Sequence, residues 1–132
     1  MATIFSQIIN GDIPGRFIWT DDRVAAFLTI APLTAGHTLV VPREEIDDWT
    51  QLPAELLGHV MAVSHRVGAA LKVAYSAPRV GLVVAGFEVP HAHVHVFPAW
   101  EMADFDFSRV DSDVPGERLD EDQKRILDVL GR

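Results

Sequence analysis

Hydrophobic residues change their spacing along this chain, and each spacing predicts an element. In "TIFSQIING", Ile4, Phe5, Ile8 and Ile9 fall on one side of a short helix that Asn10-Gly11 ends. "RFIWT" and "RVAAFLTI" read as two strands around the turn signal Thr20-Asp21-Asp22, and "HTLVVP" as a third that Pro42 closes. From Pro53 to about Tyr75 the apolar positions Leu56, Leu57, Val60, Val63, Val67, Ala70 and Leu71 recur at steps of three and four. That period predicts one long amphipathic helix with Pro53 in its first turn. "RVGLVVAGF" and "HAHVHVFP" add two strands, whereas "EMADFDFSRVDSDVPGE" is acidic, rich in turn residues and expected to be irregular. A last short helix is expected from Asp120, which with Gln123 resembles a capping box, to Gly131, with Leu119, Ile126, Leu127 and Leu130 on its apolar side.

This order predicts a single α+β domain with a largely antiparallel five-stranded sheet, a short N-terminal helix, one long helix and a C-terminal helix. The first three strands follow one another too closely for parallel crossovers.

Composition narrows the function. At 132 residues the chain is long enough to bury a core without staples, and it has no cysteine. That excludes a disulfide framework, a thiolate zinc site and a cysteine nucleophile, and it suits a reducing cytoplasm, the expected location. The N-terminus has no basic targeting region, and no apolar run approaches the roughly 20 residues that span a bilayer. A net charge of −8 argues against nucleic acid or an anionic membrane as partner. It leaves room for one phosphate held by local donors, because screening acts over about 8–10 Å.

Three of the six histidines stand at alternate positions of "HAHVHVFP". On a strand His91, His93 and His95 share one face, spaced about 6.6–6.8 Å, while Ala92, Val94 and Val96 face the core. Burying three imidazoles together is costly without a partner, so the row implies chemistry. Two chemistries fit. The row can hold a metal, and His93-x-His95 followed by Glu101 approaches a cupin-type motif with five intervening residues. A cupin barrel is nearly all strands, however, and the long helix disfavours it. Alternatively the row is a phosphate site in which one neutral imidazole attacks phosphorus and its neighbours donate hydrogen bonds. Phe27 and Thr29 share a strand face, as do His37, Leu39 and Val41; a concavity built on these faces and the histidines suits a flat base plus a phosphate. His59 and His65 on the long helix are expected to face solvent, and Trp19, Trp49 and Trp100 to pack, with Trp100 a candidate for the pocket rim or a dimer contact.

Over residues 3 to 98 the sequence resembles the histidine triad (HIT) superfamily, nearest its small Hint-like branch. "HAHVHVF" is similar to the family's His-φ-His-φ-His-φ-φ signature, "IFSQIINGDIPGRFIWTDDRVAAF" to its opening helix and hairpin, and "APLTAGHTLVVP" to its Gly-His-φ-Leu-Val-φ-Pro strand. The resemblance implies a domain over 1–100, with residues 101–132 as an acidic loop and helix on or beside it. It implies a nucleotidyl hydrolase or transferase, phosphoramidase-like, working through a nucleotidyl-histidine intermediate without a metal or other cofactor. His93 would be the nucleophile, His91 would orient it through its carbonyl, His95 would contact a phosphate or leaving-group oxygen, and His37 would support the cluster. Ile4, Phe5, Ile8, Phe27, Ile30 and Leu39 would wrap the purine and ribose, and two copies would pair through the long helix and a sheet edge.

The sequence departs from the family at three places. Thr29 stands where an acidic residue usually holds the ribose; Ala85 stands near the position of an Asn, and Phe87 in place of the Gln of a Gly-Gln pair, that donate to phosphate, with Glu88 beside it; and Ser6 replaces a zinc-binding cysteine. Glu88 is therefore a candidate substrate-facing residue. Besides the phosphoramidase reading, a dinucleoside polyphosphate hydrolase and a non-catalytic nucleotide-binding protein remain in competition.

Overall fold

Val24–Leu28 and Thr38–Pro42 are buried along their whole length, so each must be covered on both faces. The computed structural model, which describes residues 2–132, meets this with one antiparallel sheet lying between two apolar layers. The strands are β1 (Phe17–Thr20), β2 (Val24–Leu28), β3 (Thr38–Pro42), β4 (Arg79–Val83) and β5 (Val94–Ala99), in the order β1-β2-β3-β5-β4.

The register decides which residues share a face. Phe17 pairs with Phe27, Phe27 with Leu39, Leu39 with His95, and His95 with Val83. Directly opposed residues point to the same side, so one row crosses all five strands with a histidine in it. The opposite face carries Ile18, Val24, Ala26, Leu28, Val40, Val94 and Val96. These pack against Leu56, Val60, Val63, Val67 and Leu71 of helix α2 (Ala54–Ala74) and Ile126 of helix α3 (Gly116–Leu130). The short helix α1 (Ile4–Ile9) covers the histidine face through Phe5, which joins Phe27, Leu39 and Val41 in a second apolar cluster.

The α+β fold and its five antiparallel strands agree with the expectation from the sequence, but several boundaries differ; β4 ends at Val83 instead of Phe87, and β2 at Leu28 instead of Ile30. The triad strand begins at Val94 instead of His91. Pro42 has no N–H to extend the β3 ladder, and Ala92 donates its N–H instead to the carbonyl of Ile46, at 2.7 Å. The segment 101–117 is not wholly irregular: it makes two short 3-10 turns at Met102–Phe105 and Phe107–Arg109. Helix α3 begins four residues before Asp120, so the capping box read there does not exist. Asp120 instead binds Arg16 at 2.8 Å, and Gln123 donates to the carbonyl of Phe17 at 2.9 Å. His59 also differs from its expected solvent-facing place, because it is partly buried with Nε2 2.8 Å from Asp21 Oδ2. Among the described residues no helix is long and apolar enough to cross a membrane.

Gly36 sets the entry to β3. Its φ is +89°, and a Cβ built on it would stand 2.6 Å from the ring of Tyr75. Gly36→Ala is expected to cost about 3 kcal/mol or more, from left-handed strain plus overlap. Gly11→Ala, at φ +86° but with nothing within 4 Å, should cost only about 1–2 kcal/mol. Urea unfolding of the two variants measures the difference; equal losses would deny the Tyr75 contact its role.

Candidate active site

A carbonyl oxygen only accepts hydrogen bonds, so a ring nitrogen against a carbonyl must carry the proton. That rule fixes the tautomers of His91 and His93, and a backbone N–H fixes those of His37 and His95. His91 places Nε2 2.7 Å from the carbonyl of Pro42, so Nε2 is protonated and Nδ1 accepts from the hydroxyl of Thr3 at 2.8 Å. His93 places Nδ1 2.8 Å from the carbonyl of His91, so its proton sits on Nδ1 and Nε2 keeps a lone pair. His37 receives the N–H of Leu33 on Nδ1 at 2.9 Å, which leaves its proton on Nε2. That proton is donated to Nδ1 of His95 at 3.0 Å, and His95 is therefore protonated on Nε2.

Neither Nε2 of His93 nor Nε2 of His95 has a partner among the described residues, and no buried side-chain nitrogen or oxygen is left unpaired. Both atoms therefore reach open space. The cluster presents an electron pair and a hydrogen-bond donor side by side, on rings whose centroids are 4.9 Å apart.

Aromatic edges bracket this pair. Phe5 packs its ring 4.8 Å from that of His93, and Phe107 packs 4.8 Å from that of His95. Gly81 makes room for the chain that carries Phe107, since a Cβ there would lie 2.5 Å from Phe97 and 2.7 Å from Phe105. Beyond His95 opens a cavity of about 200 Å³ lined by Ala85, Gly86, Phe87, Glu88, His93, His95 and Phe107.

Burial favours the neutral form of His37, His93 and His95. It pushes His37 down to about 3, with the neighbouring His95 adding to the effect, and His95 down to about 4, with His93 adding. His93 is also lowered by burial, but the carbonyl of His91 and the negative charge of Glu88 pull the other way.

The residues expected at the site fall into three groups. His37, His91, His93 and His95 come together, with Phe5, Phe27 and Leu39 buried beside them and Ile8 packed on that cluster. Ile4 and Ile30 stay exposed, at 48% and 72%. Thr29 is partly buried and accepts the N–H of Ala31 at 3.1 Å, which leaves its hydroxyl proton to donate. Sequence reasoning missed Thr3, Leu33 and Phe107. Thr3 carries the only signal of its kind, as the residue capping α1; the backbone N–H of Leu33 and the fold-back of Phe107 have no periodic signature. The barrel that the cupin-like alternative requires is absent, because the sheet is open and helix-covered.

Comparison with known proteins shows the family and the fold. The family model for the HIT domain matches residues 10–102. An uncharacterized HIT-like protein of Borreliella burgdorferi is 37% identical over 113 residues, covering 80% of this chain and 81% of its own. An uncharacterized HIT-like protein of Methanocaldococcus jannaschii is 37% identical over 74% of this chain and 79% of its own. Among solved structures, a hypothetical histidine triad nucleotide-binding protein of Sulfolobus tokodaii superimposes with a TM-score of 0.84 at 29% identity, over 96% of this chain and 91% of that one.

The neutral histidines make stability depend on pH with a definite sign. His37 and His95 bind protons less readily when folded than at their ordinary 6.5, so the unfolded chain holds more protons below that value and stability falls as pH drops. The urea midpoint should decline from about pH 6.5 towards pH 4, and the decline should be shallower in His37→Gln and His95→Gln. Slopes identical to that of the wild type would contradict the neutral cluster.

Proposed function

The chain belongs to the HIT-domain family, and on that premise we propose that it is a nucleotide-binding hydrolase or transferase acting on the α-phosphate of a nucleoside 5′-phosphoramidate or related nucleotidyl ester. The observation that carries this reading is the lone pair on His93 Nε2 beside the protonated Nε2 of His95. An imidazole that keeps its proton on Nδ1 is a nucleophile at the other nitrogen, and a neighbouring donor stabilises the charge gathering on phosphoryl oxygens.

The reaction has two displacements at phosphorus. In the first, the bond from His93 Nε2 to phosphorus forms while the bond to the leaving nitrogen breaks, and the departing amine takes a proton from solvent. The imidazole becomes cationic, its Nδ1 proton still held by the carbonyl of His91 and its charge faced by Glu88. In the second, water attacks, the phosphorus–nitrogen bond to His93 breaks, and the nucleoside monophosphate leaves as the water gives up a proton to solvent. His91 acts as a positioning residue, because its ring is tied to Thr3 and Pro42 and only its carbonyl meets His93. Positioning and charge stabilisation supply most of what phosphoryl transfer needs.

Phe5, Ile8, Phe27 and Leu39 form the apolar floor for a purine, with the exposed Ile4 and Ile30 as flaps against its faces. Thr29 offers its hydroxyl to the ribose. The dinucleoside polyphosphate reading is weaker, because the cavity beyond His95 is lined by no Lys or Arg and does contain a carboxylate. Pure binding leaves the unpartnered lone pair of His93 without a role.

We also propose a two-fold homodimer through α2 and β4. The outer edge of β4 is unpaired in one copy, with Leu82 exposed on it, and Met61 and Val73 are exposed on α2. Sedimentation equilibrium should return about twice the chain mass for the wild type and a shift towards monomer for Leu82→Asp; a wild-type monomer would contradict this.

With adenosine 5′-phosphoramidate as substrate, His93→Ala should lower kcat/KM by about 10³-fold or more and His95→Ala by about 10²-fold. Hydrolysis by His93→Ala at the wild-type rate would refute the mechanism.

A further inference from the structure

The four rings Phe5, His93, His95 and Phe107 stand edge to face in that order, with centroid separations of 4.8, 4.9 and 4.8 Å. Phe5 belongs to the cluster proposed to hold the base. With the base at the Phe5 end, a group shed from a phosphorus on His93 has the cavity beyond His95, at the Phe107 end of the row, open to it. The lining there is unusual for a protein that handles phosphates. It holds no Lys, no Arg and no Asn or Gln; apart from the two imidazoles, its one polar side chain is Glu88.

Glu88 has no hydrogen-bond or ion-pair partner among the described residues, and Phe87 beside it is 96% exposed. A large ring left wholly in water next to a free carboxylate, with a second ring across the cavity, has the make-up of a cation site. The carboxylate supplies charge, and ring faces attract a cation held within about 6 Å. A neighbouring cleft shares Ala85, Gly86, Phe87 and His93, and adds Asp47, Asp48 and Trp49, again without Lys or Arg. Any leaving group that carries phosphates or a carboxylate meets repulsion on this side.

We propose that this cavity is a leaving-group subsite for positively charged amines, in which Glu88 determines specificity and Phe87 and Phe107 supply the faces on which the cation rests. The inference rests on the phosphoramidase-type reading and names its substrate class: nucleoside phosphoramidates whose amine carries a second, ammonium group. When the bond from phosphorus to nitrogen breaks, the departing amine takes a proton from solvent, and the distal ammonium remains paired with Glu88 until the product leaves.

Three adenosine 5′-phosphoramidates of similar chain length test this: the N-(5-aminopentyl), N-hexyl and N-(5-carboxypentyl) compounds, which end in a cation, a methyl group and an anion. In the wild type at low salt, kcat/KM should fall in that order, with the cationic compound favoured over the anionic one by about tenfold and the ratio shrinking as salt rises. Glu88→Gln should bring the ratio to within about twofold of unity, and Glu88→Lys should reverse it. Only ratios are compared, so a general change in activity cancels. Equal treatment of the three compounds by the wild type, or an unchanged ratio in Glu88→Gln, overturns the subsite. If the wild type cleaves none of the three, the phosphoramidase reading fails, and the charge order is read from their calorimetric Kd values. A cation preference lost in Glu88→Gln then sustains the subsite, and equal affinities overturn it.

Discussion

Two backbone carbonyls, of Pro42 and His91, set the chemistry of this protein, because neither can donate a hydrogen bond. Each forces the ring nitrogen in front of it to carry the proton. The two choices are opposite: His91 is protonated on Nε2, and His93 on Nδ1. A third constraint, the N–H of Leu33 against His37, runs through His37 to His95 and fixes a donor beside the lone pair of His93. The fold exists around these bonds. Pro42 ends β3 and exposes its carbonyl; Ala92 turns to Ile46 and brings the carbonyl of His91 under His93; Gly36 permits the turn into His37.

Electrostatics then decides what the cluster can bind. His37 and His95 are neutral because they are buried, so the site offers a ligand dipoles and one donor instead of fixed positive charge. In a chain of net charge −8, a carboxylate at the mouth of the site has opposite effects on the two halves of a substrate. In the proposed reaction it would favour a cationic imidazole on His93 and repel negative charge on the departing group. On the proposed function, the departures at Phe87 and Glu88 would bear on the leaving group and Thr29 on the sugar.

Much of the fold was legible in the sequence because its signals are local. Period two gave the strand faces, so that His95, Leu39 and Phe27 lie in one row, and period near 3.6 gave α2 almost to its ends. The triad announced itself by three imidazoles opposite Ala92, Val94 and Val96. What could not be read is set by contacts distant in sequence. Alternation alone cannot say that the triad leaves the ladder before Val94, since that depends on Pro42 and Ile46. The start of α3 was misplaced because Asp120 fits a capping pattern, while the actual helix begins at Gly116 and uses Asp120 to bind Arg16. Phe107 packs on His95 where the chain folds back past Gly81, against which Phe97 and Phe105 press, and such a fold-back leaves no trace in hydrophobic spacing.

The chemistry of the cluster turns on where four protons sit, and nitrogen chemical shifts of the imidazole rings measure that directly. In ¹⁵N-labelled protein at pH 7, long-range proton–nitrogen correlation spectra should show His93 as the neutral Nδ1–H tautomer and His37 and His95 as neutral Nε2–H tautomers, with His91 carrying its proton on Nε2. A His93 protonated on Nε2, or doubly protonated, would have no lone pair to offer phosphorus and would contradict the account.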